Sequence, residues 1–291
     1  MATMLIRRLR RLLGQTPPPI VSVVRLSGII GGVGGFRPGL TIAATAPLLE
    51  RAFAPKDQVA VALIINSPGG SPVQSALIGG RIRALAEEKK LPVIAFVEDV
   101  AASGGYWLAC AADEIVADPS SVVGSIGVVS RGFGFPEALR RLGIERRVHT
   151  SGTNKNMLDP FQPERAEDVE RLKSLQEEVH ESFKDWVRRR RGPKLTVPEA
   201  DLFTGEFWTG TRGLTLGLVD RLGDARTVLR ERYGTEVKLR MVGQRRSLFQ
   251  RLGGGESRLS GLPASADLGA GIAAGLLSAA EERALWQRYG L

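Results

Sequence analysis

The run QVAVALII at 58–65, followed by Asn66-Ser67-Pro68-Gly69-Gly70-Ser71-Pro72, shows no polar alternation once past Gln58. A strand solvated on one face alternates apolar and polar residues, so continuous apolarity predicts a parallel strand covered by helices on both faces. Ser71 is a good N-cap and Pro72 a good first helical residue, so a helix should start there, with Val73, Ala76, Leu77, Gly80 and Ala84 on one face. The fold class is therefore α/β.

Outward from this unit the same alternation continues. Strands are expected at 20–27 (IVSVVRLS), 92–98 (PVIAFVE), 114–117, 126–129 and 144–149, and helices at 40–53, from Ser103 to about residue 112, and at 163–191. The last helix carries Val169, Leu172, Val179 and Phe183 as its apolar stripe and breaks at Gly192-Pro193. One domain over 20–242 accounts for this pattern. Residues 1–19 read as a basic amphipathic segment stopped by Pro17 to Pro19. Residues 243–291 read as a Gly/Ala-rich tail ending in a helix, with Trp286 and Tyr289 at its polar end, packed on a neighbouring subunit or a membrane surface.

Composition narrows the chemistry. The net charge of +9 comes from 32 Arg and only 8 Lys, with the excess at the two ends and in Arg188 to Arg191. This placement argues against one continuous nucleic-acid groove. A single cysteine, Cys110, excludes an internal disulfide and reads as a buried, inert thiol, and two histidines provide poorly for a metal. No cofactor or metal is called for. No stretch of 18 apolar residues is present, and Arg7, Arg8, Arg10 and Arg11 are not followed by the apolar run of a secretory signal. Residues 1–16 are either a membrane-contacting helix or a frayed tail, and the chain is expected in the cytoplasm, with any contact at the inner face of the membrane.

Acyl transfer needs a nucleophile, a proton acceptor and donors for a developing oxyanion. Ser103, in Ala102-Ser103-Gly104-Gly105-Tyr106, stands at a strand-to-helix junction where two glycines leave its hydroxyl approachable; the same tetrapeptide also suits a plain helix cap. The Ser67 to Gly70 turn leaves N–H groups unshielded ahead of a helix, as an oxyanion hole requires. His180 falls mid-helix and His149 at a strand end among basic neighbours, and both read as structural or surface residues. Arginine does not deprotonate, whereas burial can make a lysine a base. Lys155, in Thr150-Ser151-Gly152-Thr153-Asn154-Lys155-Asn156, is the only cation among small polar and apolar residues and is the candidate. A lone loop lysine is ordinarily solvated, so both readings stand at this point.

Several stretches in order resemble the signal peptide peptidase A family of serine-lysine peptidases. They are Ile64 to Gly70, Ala102 to Tyr106, Gly124-Ser125-Ile126-Gly127-Val128, Ser151-Gly152 with Lys155 and Pro160-Phe161, and Gly217-Leu218-Val219-Asp220. The resemblance covers about residues 20–242. It implies a Clp protease/crotonase-like ββα superhelix, Ser103 as nucleophile, Lys155 as general base, Ser125 as the hydroxyl that orients the lysine, Gly70 as an oxyanion donor and Gly104 as a second donor. It further implies hydrophobic peptides such as remnant signal peptides as substrates, and a homo-oligomeric ring with active sites near subunit contacts. Two other classes share parts of this pattern: a crotonase-like acyl-CoA enzyme, which would not need Ser103, and a non-catalytic membrane-associated scaffold.

Overall fold

The computed structural model describes residues 17–31, 39–243, 280 and 283–291. The basic segment 1–16 and most of the Gly/Ala-rich tail lie outside them.

Strand β1 (Ile20–Ser27), helix α1 (Ile42–Phe53), β2 (Gln58–Ser67), α2 (Pro72–Lys89), β3 (Val93–Ala102) and α3 (Gly104–Ala109) follow one another as parallel strand–helix units. Then come β4 (Glu114–Ala117), β5 (Val122–Gly124), α4 (Pro136–Arg141), the long α5 (Ala166–Arg191) and a 3-10 turn at Gly192–Lys194. The body ends with α6 (Glu199–Leu202), β6 (Phe207–Thr209), α7 (Gly210–Thr215), β7 (Arg221–Leu222), α8 (Ala225–Tyr233) and β8 (Lys238–Met241). The α/β reading of the sequence is met, with a sheet order β6-β5-β3-β2-β1-β8 in which β4 also pairs with β3.

Two cores explain the apolar run. Val61, Leu63 and Ile65 of β2 face the larger core with Ile78, Ile82, Tyr106 and Leu108, while Ala60 and Ala62 face a second core closed by Val228 and Leu229 of α8. Successive side chains point to opposite faces, so a strand covered on both sides must be apolar at every position. Strand β3 is long enough to serve two partners: Ile94–Val97 pair with β4 and Val100–Ala102 with β5. This branching brings Gly124 beside the end of β3.

Several expectations are corrected. Helix α2 buries Ser75, Ile78, Gly79, Ile82, Leu85 and Ala86, whereas Val73 and Leu77 of the expected face are 64% and 47% exposed. The isoleucine–leucine stripe removes more apolar area from water than the stripe of Val, Ala and Gly and so sets the helix rotation. The strand expected at 126–129 is instead β5 at Val122–Gly124, and 144–149 forms no strand. Ile144 there is 54% exposed, and among the described residues no strand pairs with this segment. The 163–191 helix is observed as Ala166–Arg191, with Phe183 and Val187 as its buried anchors.

The Gly217 to Asp220 motif ties the C-terminus of α5 to β4. Arg191, 3% exposed, donates to Asp220 Oδ2 at 2.6 Å and to Gly217 O, while Asp220 also accepts from Ile115 N at 2.8 Å and Lys194 Nζ at 2.7 Å. Burial alone would raise the Asp220 carboxyl, but Arg191 and Lys194 outweigh it and hold the carboxyl below its ordinary range. Because the folded-state value is depressed, this contribution to stability is full above about pH 4 and is lost as pH falls through the lowered value. Asp220→Asn should therefore cost ~3 kcal/mol in urea unfolding at pH 7, since it leaves a buried guanidinium unpaired, and the deficit relative to the parent should shrink on acidification.

Candidate active site

Ser103 caps α3 from the left-handed half of backbone space, at φ +53° and ψ −121°. Such a conformation is strained for a residue with a side chain. It is held by two ties: Ser103 N–H donates to Gly124 O at 2.8 Å, and Ser103 O accepts from Trp107 N at 3.0 Å. The glycines around it are required by close approach. A Cβ on Gly105 would lie 2.3 Å from Ser67 O, and one on Gly69 would lie 2.8 Å from Ser103 Cβ and 2.9 Å from Gly104 N. The Ser67–Gly70 turn and the Ser103–Gly105 turn therefore pack backbone against backbone.

Gly70, at φ +140°, is pinned by Ile30, whose N–H donates to Gly69 O and whose carbonyl accepts from Ser71 N, each at 2.8 Å. Among the described residues neither Gly70 N–H nor the first helical N–H, that of Gly104, has a backbone acceptor. Both glycines line one cleft with Ser103. The rest of its wall is Gly127 and the apolar side chains of Pro72, Trp107, Val128, Val179 and Phe183, with Phe183 stacked on Trp107 at 4.8 Å. The contribution of α5 to this wall was not legible in sequence, where Val179 and Phe183 read only as core.

Ser125 follows the carbonyl that holds Ser103. It too has positive φ, +54°, is 2% exposed, and donates its N–H to Glu206 O. Its hydroxyl meets an unforeseen partner, Tyr289 Oη, at 3.3 Å. The terminal segment thus packs on its own chain, with Tyr289 buried against Val100 and Ala102.

Lys155 is not brought into this group within a single chain. It lies exposed in the turn 151–158, its N–H on Gly152 O at 3.2 Å, and it is not among the residues lining the cleft. The buried setting that the base requires is not supplied by its own neighbours. His180 donates through Nε2 to Ile126 O at 3.1 Å, and burial holds its pKa below the ordinary value. His149 is exposed, and Cys110 is buried with its thiol pushed up to about 12 by desolvation. Both histidines and the cysteine therefore stand apart from the cleft lining, as expected.

The model of peptidase family S49 matches residues 85–239, a span that contains Ser103, Ser125 and Lys155. The chain belongs to peptidase family S49. This is a family of serine peptidases, the class of hydrolase to which the signal peptide peptidase A resemblance pointed. Putative protease slr0021 of Synechocystis sp. is 33% identical over 211 residues, covering 70% of this chain and 75% of that one. A protein of Brucella abortus named Na(+)/H(+) antiporter NhaA is 57% identical over 272 residues, covering 93% of this chain. The match occupies 37% of that protein, so the chain spans about a third of its length. Among solved structures, the 1510-N membrane-bound stomatin-specific protease in a serine-to-alanine form aligns at TM-score 0.48 with 17% identity, covering 78% of this chain and 99% of that one.

The strain at Ser103 yields a measurable consequence. Ser103→Gly should be more stable than Ser103→Ala by about 1 kcal/mol, because glycine adopts the left-handed backbone without penalty. Thermal or urea unfolding of the two variants checks this; equal stability would mean that the backbone at 103 is unstrained.

Proposed function

We propose that the chain is an endopeptidase of the serine-lysine type, acting on hydrophobic peptides through an acyl-enzyme. Ser103 Oγ attacks the scissile carbonyl and gives its proton to the Lys155 amine. The carbonyl oxygen, negative in the tetrahedral intermediate, lies against the N–H groups of Gly70 and Gly104. Lys155 then passes the proton to the leaving amine as the C–N bond breaks, and water hydrolyses the ester by the same route in reverse. Ser125 orients the lysine without adding a charge that would hold it protonated. The observation that carries this reading is Ser103, strained at a strand–helix junction, sharing one cleft with two N–H groups that lack backbone acceptors. The apolar wall formed by Trp107, Val128, Val179 and Phe183 suits an apolar substrate side chain.

The exposed position of Lys155 favours a base supplied between copies of the chain. The segment bearing it also presents Val129, Phe133, Leu142 and Ile144, each more than half exposed, which is unusual for a surface destined for water. The loop itself is firmly built: Asp159 accepts from Asn156 Nδ2 and Phe161 N, and Arg146 lies 4.5 Å over the Phe161 ring. Packing this arm on a neighbour in a homo-oligomer would cover the apolar side chains and desolvate the amine, which favours its neutral form.

Ser103→Ala and Lys155→Ala should each lower peptide hydrolysis by several orders of magnitude. Mixed and co-assembled, they should regain about a quarter of parental activity, the share of sites that randomly pair an intact serine with a neighbour's intact lysine. No recovery from a verified mixed assembly would exclude sharing between chains, and a fully active Lys155→Ala would remove the lysine from the mechanism.

Contact with the inner face of the membrane through residues 1–16 is part of the same proposal; no helix among the described residues is long and apolar enough to cross a membrane. Sedimentation with anionic vesicles should fall on deleting residues 1–16 and on raising salt, and unchanged binding would end that part.

A further inference from the structure

Residues 283–287 are helical, and a turn follows in which Gly290 takes φ +77° and Leu291 N–H returns to Trp286 O at 3.3 Å. The turn presents Tyr289 inward. Its ring, 8% exposed, packs on Val100 and Ala102 of β3, with partly buried Val122 and Trp286 beside it, and meets Phe207 edge-on at 5.0 Å. Its hydroxyl reaches Ser125 Oγ at 3.3 Å and Pro68 O at 3.5 Å. The tyrosine therefore touches the hydroxyl assigned to orient the base and the turn that carries the oxyanion donor, together with the strand end that carries Ser103.

With Tyr289 seated, Ser125 is 2% exposed. Tyr289 Oη stands 3.3 Å from Ser125 Oγ, at the hydroxyl that an amine from the turn 151–158, of the same chain or a neighbour, would need to reach. We infer that the segment Trp286–Leu291 is a built-in cover of Ser125, for which Tyr289 and Lys155 compete, so that the site is completed only when the segment leaves. This rests on the catalytic reading above. The seat consists of one ring and a hydroxyl with two neighbouring acceptors, a contact small enough to be displaced. A tail seated ten times more often than not lowers apparent substrate affinity about tenfold.

The test uses the full-length chain and its Tyr289→Ala and Tyr289→Phe variants, read by hydrolysis of a fluorogenic apolar peptide and by the rate at which a fluorophosphonate labels Ser103. Tyr289→Ala should raise both rates about five- to tenfold, and a synthetic peptide of residues 286–291 added in excess should bring the variant back toward the parent. Tyr289→Phe keeps the ring and loses only the hydroxyl contact, and should rise about two- to fivefold; it decides the matter if Tyr289→Ala proves unfolded. Rates equal to or below the parent in a folded variant overturn the inference. Combining each variant with Ser103→Ala separates the two readings. Cleavage that survives there sinks the catalytic assignment, whereas cleavage that depends on Ser103 but ignores Tyr289 sinks the tail alone.

Discussion

The site depends on one close approach of two backbones, the Ser67–Gly70 turn against the Ser103–Gly105 turn. The spacing admits no side chain on the facing atoms: a Cβ at Gly105 would sit within 2.3 Å of Ser67 O, and one at Gly69 within 2.9 Å of Gly104 N. Parallel pairing of β2 with β3, which continues to Ser67 opposite Ala101, brings the turns to the same edge of the sheet. The hydrogen bond from Ser103 N–H to Gly124 O then fixes the serine in its strained conformation. A strained residue persists only where its surroundings over-determine it, and here a strand on one side and a glycine turn on the other do so.

The parts of this arrangement legible in sequence are those whose cause is local. Continuous apolarity at 58–65 marks a strand buried on both faces, and Ser71-Pro72 marks the helix start that the Ser71 side chain indeed caps. The glycine pairs mark close approach because few other residues permit it. What was missed is set by distant partners. Val73, Ala76 and Leu77 make a plausible stripe on α2, but the Ile78, Ile82 and Leu85 stripe is the one its partners in the core cover, with Gly79 close to Trp107 and Trp186. The 144–149 segment has strand-like composition without a neighbouring strand to pair with. Tyr289 meets Ser125 across 164 positions, and no local pattern announces such a pair.

The same distinction separates the two halves of the proposed catalytic machinery. The proposed nucleophile and oxyanion donors sit on the core, where Trp107, Phe183 and the β3 end are buried. The lysine belongs to an arm that stands off it, anchored through Asp159 and Asp168 to its own base. Burial is what makes a lysine basic at ordinary pH, so in the proposed mechanism an exposed lysine on an apolar arm ties reactivity to assembly. On that proposal a chain alone carries Ser103 and its cleft without the base, and hydrolysis waits until copies meet.

In the proposed mechanism Ser125 is the element that both halves share, and its chemistry explains why a neutral hydroxyl suits the position. A carboxylate there would pair with the lysine and keep it protonated, raising its pKa where the mechanism needs it lowered. A hydroxyl offers a donor and acceptor without charge, so it orients a neutral amine and can equally be covered by a phenol at little electrostatic cost. Tyr289 fills the latter role: its ring covers Val100 and Ala102, and its hydroxyl donates to Ser125 Oγ. In the proposed competition Ser125 is thus covered by a segment that leaves no buried charge behind when it gives way to an incoming amine.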